Sequence, residues 1–293
     1  MRITEQILTQ QSIAGLQNNL EQVAKLQESI STGQRINQPS DDPAGTSQVL
    51  GFNAVQDQLN QCLRNLTGLD GTLKVLNTTL DSALQVLSTV TQAAMGLTSG
   101  PMTAEQQATA SSQVQSAFNQ LLQIANSTYN GQYLFSGYQS NAPAYDNSGA
   151  YQGDGGVTSV DAGNGVAIAS NLPGQQVFGS ASVGVDIFGL LTTLQTAINT
   201  NDTATIQTSL ATLNQATNQV AQAQAEVGVR DQTLQTQQTR LQGVSATVEQ
   251  LKTQQLQADP NVVITQYMAQ MNALNATREA TAKLLQTSIL NYL

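Results

Sequence analysis

From Phe52 onward the chain repeats one signal. Stepping alternately by three and four residues gives Phe52, Val55, Leu59, Cys62, Leu66, Leu69, Leu73, Leu76, Leu80, Ala83, Leu87, Val90, Ala94 and Leu97, all of them apolar. Between them stand mostly Gln, Asn, Thr, Ser, Asp and Gly. This spacing predicts a helix from about Ala44 to Leu97 whose narrow stripe is a coiled-coil seam. At about 1.5 Å of rise per residue the seam would run roughly 70 Å. One stripe does not hold an isolated helix in water, so helices of matching length must cover it, from this chain or from another.

Upstream, a helix is expected from Thr4 to Thr32 on the stripe Ile13, Leu16, Leu20, Val23 and Ile30, widened by Ala24 and Leu26. Its first dozen residues offer only Ile3, Ile7 and Leu8 and are weak without a partner. Gly33 is placed to stop it. Pro39 and Pro43 then forbid continuous helix, and Ser40 or Asp41 is placed to cap the next one, with Asp42 near its positive end. After Leu97, Ser99-Gly-Pro101 marks a stop, and Thr103 with Gln106 has capping-box spacing. A shorter helix carries Val114, Phe118, Leu121, Leu122 and Ala125 and is expected to end near Asn130-Gly131.

From Gln132 to Val185 the periodicity is lost. Short runs at 132–136, 156–160 and 165–169 sit between Gly, Asn, Ser and Asp and read as strands with tight turns. The segment holds Tyr133, Phe135, Tyr138, Tyr145, Tyr151 and Phe178, with Phe188 just beyond. The three glycines around Asp154 are read as a turn, because no Lys follows as a phosphate loop requires. Helix resumes at Ile187–Ile198, and Asn201-Asp202 caps a second long one. There an apolar residue recurs every seven: Ile206, Leu213, Val220, Val227, Leu234, Leu241 and Val248. The two long helices are expected to pair antiparallel. Asp259-Pro-Asn261 breaks the run before a last helix with Met268, Met271, Leu274, Ala282, Leu285 and Ile289.

The fold class is therefore mainly α with a β-rich insert (α+β), in five segments. Residues 1–43 and 259–293 are terminal arms, 44–131 and 186–258 are the two halves of a helical core, and 132–185 is the insert. Both arms carry apolar stripes that nothing else in the chain need cover, the arrangement a polymerising subunit would use. The seam residues assigned to helix–helix packing are Leu16, Leu20, Val23, Ile30, Leu66, Leu69, Leu73, Leu76, Leu80, Leu234, Leu241, Met268, Met271, Leu285 and Ile289.

Composition narrows the function. The 293 residues include no His and no Trp, and only 10% are charged. Without His the commonest neutral-pH acid–base group and metal ligand are missing. The single Cys62 lies on the seam and is read as a small buried hydrophobe; no Cys-based metal site can be built from one thiol. The net charge is −9, and no Lys or Arg stands between Lys74 and Arg230. A middle without cations cannot hold phosphates, which argues against nucleic acid. No apolar run reaches the ~18 residues of a membrane span, and Met1 to Ser12 lacks the pattern of a cleaved signal peptide. No catalytic, cofactor or metal residue is assigned. A hydrolase using Asp or Ser of the insert lacks a visible nucleophile–base pairing, and a cytoplasmic coiled-coil adaptor would need compact, ordered termini.

The run Ile30-Ser-Thr-Gly-Gln-Arg-Ile-Asn-Gln-Pro-Ser-Asp-Asp-Pro-Ala-Gly45, set between two heptad helices, resembles the amino-terminal signature of the bacterial flagellin superfamily. Within it, several features are similar to the hook–filament junction members more than to filament flagellin, which is kept as the alternative. These are the start Met1-Arg-Ile-Thr4, the prolines flanking Ser40-Asp-Asp42, and Asn130-Gly-Gln-Tyr-Leu-Phe-Ser-Gly137. Tyr151-Gln-Gly-Asp154, Asn171-Leu-Pro-Gly-Gln-Gln-Val-Phe178 and the end Ser288-Ile-Leu-Asn-Tyr-Leu293 are similar too. Cys62 and Gln38 depart from the pattern. The resemblance implies a structural role without enzymatic activity, with the chain leaving the cell unfolded through flagellar type III export and no cleaved signal. It implies a ring of identical subunits in the extracellular flagellum, between hook-associated protein 1 and flagellin. It also implies a cytoplasmic export chaperone holding the last helix at Met268, Leu274, Leu285 and Ile289. Arg35 would anchor the turn that contains Asn37 against Asp41 or Asp42.

Overall fold

The computed structural model describes residues 2–98, 102–163 and 165–290, side chains of 2–6 and 284–290 excepted. The expected stop at Ser99-Gly-Pro101 lies outside the described residues. The order is α1 (Arg2–Thr32), α2 (Pro43–Met95), α3 (Ala104–Ala125), β1 (Thr128–Tyr129), β2 (Gln132–Tyr133), β3 (Ser159–Asp161) and β4 (Ala167–Ala169). It continues with α4 (Gly174–Val177), α5 (Ile187–Thr200), α6 (Thr203–Leu256) and α7 (Pro260–Leu290). The mainly helical class with a small β insert is what the periodicity predicted.

The chain forms two compact units, a terminal one of residues 1–58 with 244–293 and a central one of residues 59–243. The division falls inside α2 and α6, where the heptads give no sign of it, and not at the helix ends that separated the five expected segments.

In the central unit the seam closes. Leu66, Leu69, Leu73, Leu76, Leu80, Ala83, Leu87, Val90 and Ala94 are all buried, in one cluster with Ile206, Leu213, Val220, Val227, Leu234 and Leu241 of α6. Antiparallel pairing follows from two local ties. The Cys62 thiol and the Leu241 side chain approach the same point beside Gly163, and the Asp231 carboxylate acts on the Lys74 ammonium. Rising numbers on α2 thus meet falling numbers on α6. Cys62 is only half-buried; the expectation of a buried thiol was wrong because the close packing of α2 begins one turn later, at Leu66.

Caps follow local chemistry. Thr103 and Gln106 form the reciprocal box at α3, Asp186 accepts from Gly189 N at α5, and Asp202 accepts from Thr205 N at α6. Asn201 takes the left-handed conformation that ends α5. One stop was misplaced. Helix α3 ends at Ala125 rather than near Asn130, because Asn130 and Gly131 both have positive φ and make the two-residue turn of a β1–β2 hairpin, with Thr128 opposite Tyr133.

Among the described residues the insert and the residues leading into it have little strand, two two-stranded hairpins. Its order comes from aromatic packing and hydrogen bonds to loops. Phe135 and Phe178 meet edge-on at 5.3 Å, and Tyr145 lies 4.9 Å from Phe188. The Tyr145 hydroxyl donates to Gly179 O at 2.8 Å, while Asn126 brackets the Tyr145 backbone through both its amide atoms. From α6, Gln219 donates to Val177 O at 3.0 Å and Arg230 to Asn171 O at 2.7 Å. Asp154 accepts from Tyr138 N and Gly156 N, so the glycine-flanked acid is a turn staple.

Burial pushes the Tyr151 hydroxyl up to about 12, and pushes that of Tyr145 up further. A tyrosine whose ionisation is raised by folding favours the fold below its ordinary value near 10 and loses that contribution as pH rises toward the shifted one. Absorbance titration at 295 nm should therefore leave these two hydroxyls un-ionised until about pH 12, where loss of near-ultraviolet dichroism accompanies them. Full tyrosinate absorbance below pH 11 with the fold intact would contradict this packing.

No helix among the described residues is long and apolar enough to cross a membrane.

Candidate functional site

The residues that sequence assigned to packing fall into two groups. Leu66, Leu69, Leu73, Leu76, Leu80, Leu234 and Leu241 are inside the central unit. The others lie on α1 and α7 in the terminal unit, where these helices pack against each other. That pairing buries little. Val23, Ile36, Ala258, Val263 and Leu274 are the buried apolar side chains of the terminal unit among the described residues. Leu16 and Met271 are half-buried. Leu20 at 49%, Ile30 at 43% and Met268 at 62% stay exposed, joined by Ile7, Leu8, Ile13, Leu50, Val262 and Ile264. Leu285 and Ile289 fall outside the described side chains. Single exposed leucines are ordinary; a concentration of them on one small unit marks an interaction surface.

Polar groups set the register of α1 on α7. The Asn19 side chain donates to Thr277 Oγ1 at 3.0 Å and accepts from Gln270 Nε2 at 3.0 Å. Sequence reading missed Asn19, Gln270 and Thr277, since amides on an apparently solvated face carry no periodic signal. With Leu274 buried beside them, α7 offers Met268 openly but covers Leu274.

The turn between α1 and α2 is built from its own short polar residues. Gly33, at φ +69°, donates its N–H to Ser29 O and closes α1. Its carbonyl then accepts from Ala258 N at 3.0 Å, and Arg35 N donates to Leu256 O at 2.7 Å. The turn is thus stitched to the end of α6 by a short antiparallel bridge, Gln34 opposite Gln257. The Arg35 guanidinium donates to Asp42 Oδ2 at 2.9 Å and to Gln255 O at 3.3 Å. A cation at the carboxyl end of α6 is well placed for its unpaired carbonyls.

The cap of α2 is Asp42, whose Oδ1 accepts from Gly45 N at 2.9 Å, with Pro43 at the first helical position. The sequence expectation of Ser40 or Asp41 was off because Asp41 is used one step earlier. Its Oδ2 accepts from Asn37 N and Gln38 N, while Asn37 accepts from Thr32 Oγ1 at 2.8 Å. Asp259 repeats the Asp42 arrangement: its Oδ1 accepts from Asn261 N, with Pro260 opening α7. The Gly45 amide and then the Arg35 guanidinium hold the Asp42 carboxyl below its usual range. Its contribution is present above that range and is lost as pH falls through the lowered value.

No cluster of three His, Cys, Asp or Glu suited to a metal ion occurs among the described residues, and the acids of the turn are engaged in capping.

The cross-tie gives a local prediction. Arg35→Ala should speed hydrogen exchange at the Arg35 and Ala258 amides by roughly threefold, the scale of one exposed ion pair, and leave the central unit's melting unchanged. Unaltered exchange at both amides would show that the guanidinium does not support the bridge.

Comparison with known proteins adds an independent line. The pattern of the family described as the bacterial flagellin N-terminal helical region matches residues 3–140. The flagellar hook-associated protein 3 of Salmonella typhimurium is 28% identical, over 94% of this chain and 95% of its own. Flagellin B of Helicobacter pylori is 26% identical over 57% of this chain and 34% of its own. Among solved structures, that of Bacillus cereus FlgL covers 69% of this chain and 99% of its own at a TM-score of 0.61 and 17% identity, a likeness of fold.

Proposed function

We propose for this chain, which matches the bacterial flagellin N-terminal helical region over residues 3–140 and is similar over nearly its whole length to hook-associated protein 3 of Salmonella typhimurium, a structural role at the flagellar junction between hook and filament. The observation that carries this reading is the contrast within one molecule. The central unit closes its seam, while the terminal unit keeps a high density of apolar side chains exposed on α1, α7 and the start of α2. The near full-length match to the Salmonella protein, against a third of Helicobacter flagellin B, supports junction subunit over filament subunit.

On this reading copies assemble as a ring, with hook-associated protein 1 on one side and flagellin on the other. Terminal helices of neighbouring subunits cover Leu20, Ile30 and Met268, so final ordering of the arms and assembly proceed together. An export chaperone would bind α7 through Met268, and to reach Leu274 it would have to displace α1. Residues of the turn, Arg35, Asn37, Asp41 and Asp42, keep the two arms joined and contribute no chemistry. The chain acts outside the cell and has no enzymatic task.

The test is complementation in a strain lacking its own junction protein. The chain should restore filaments, and antibody against the insert should label a narrow band at the outer end of the hook. Label along the whole filament would make it a filament subunit; no restoration in a strain that exports it would remove the junction reading.

A further inference from the structure

One feature of the central unit has no part in the terminal surface described above. Between α2 and α3 runs an open trough of about 960 Å³. Its floor is made of small or partly buried residues, Val86, Ala93 and Ala117, and its walls of glutamines, Gln85, Gln113 and Gln120 among them. The trough exists because α3 turns mainly alanines inward: Ala110, Ala117 and Ala125 alternate with Val114 and Leu121. Helix α3 packs closely on α5 and not on α2, which leaves between α2 and α3 a groove that a third helix can fill. The lining extends from Ser82 to Ala93 on α2 and from Gln113 to Ser127 beyond the end of α3. At about 1.5 Å per residue this is a track of roughly three to four helical turns.

Electrostatics says what can lie there. Every charged side chain between Lys74 and Arg230 is an acid, and the chain carries −9 overall. Two copies brought together through faces that carry these acids therefore set carboxylate against carboxylate. No lining residue is charged: from Ser82 to Tyr145 the chain holds one ionised side chain, Glu105, and the Asp81 carboxylate just before this stretch is occupied in accepting from Gln85 Nε2 at 3.0 Å. Primary amides both donate and accept, so glutamine walls match the same amides of an identical chain in either direction.

We propose that the α2–α3 trough receives a helix of a second copy of this chain. The inference rests on the ring reading above and names a contact face in the central unit, separate from the terminal arms. Contact here is short-range and amide-mediated, and it is lost when the walls become acidic.

The test replaces Gln92, Gln113 and Gln120, three lining residues, by Glu, each exposed, nearly isosteric and equally suited to helix. Melting of the triple variant should match that of the parent chain. In sedimentation velocity the parent should show concentration-dependent self-association and the variant at least tenfold weaker association, recovered in part by raised salt, which screens like charges. Identical profiles for the two proteins, both monomeric included, overturn the proposal. Complementation separates the levels. If the parent chain fails to restore filaments, the junction reading itself is wrong; if parent and variant restore them equally, only the trough is. A variant that self-associates normally yet is not incorporated assigns the trough to a helix of another protein, and that too overturns it.

Discussion

Leu76→Ala should lower the unfolding free energy of the central unit by about 2–5 kcal/mol, the range for a leucine truncated in a packed core. Leu76 has no solvent exposure and sits mid-seam among Leu73, Leu80 and the α6 leucines and valines. The loss combines transfer of the removed atoms with the cavity left between helices that cannot collapse together. The same substitution at Leu20, which is 49% exposed, should change stability by no more than about 0.5 kcal/mol. Urea denaturation is followed by near-ultraviolet dichroism of the insert tyrosines, which reports on the central unit, and by far-ultraviolet dichroism, which reports on the helices of both units. Equal shifts for both variants would mean that the contrast between closed and open seams is not a property of the molecule.

The second large effect is functional. Leu20→Asp combined with Met268→Asp places two carboxylates on surfaces that the proposed ring would bury. An unpaired buried charge costs several kcal/mol, so incorporation should fall by more than tenfold, seen as loss of the antibody band and of motility. Both side chains are exposed in the single chain, so melting should be unchanged; because Met268 also belongs to the surface proposed for the export chaperone, the amount of protein exported is measured beside its incorporation. Normal motility from the double variant would place the assembly surface elsewhere.

Much of the architecture could be read from periodicity. A heptad stripe with polar residues between its apolar positions leaves one way to bury Leu66 to Ala94, and one way to bury Ile206 to Leu241. What periodicity could not show is where burial stops. Phe52, Val55 and Leu59 obey the same spacing as Leu66, yet Val55 is exposed and Leu59 half-buried. Spacing records which face a residue occupies, whereas burial depends on whether another helix is present at that level.

The turn shows a second limit. Ser40, Asp41 and Asp42 are all capable caps, and the choice follows from Pro43, which fixes the first helical residue and so the position before it. Asn130-Gly131 carried a hairpin signal that was read as a helix stop, because the strands it joins are two residues long. The polar register set by Asn19 was invisible for a different reason. Its partners lie some 250 positions away, and no local rule reaches that far.

That separation has a consequence for the order of events during synthesis. Helix α1 leaves the ribosome long before its partner α7, with every other element of the described chain between them. The backbone bridge from Gly33 and Arg35 likewise waits for residues 256–258. Until then the leading helix has no apolar surface of its own chain to lie on, and it travels as the loosest part of a nascent polypeptide whose middle can already close. A chain intercepted before α7 emerges is therefore one whose α1 has not yet found its place.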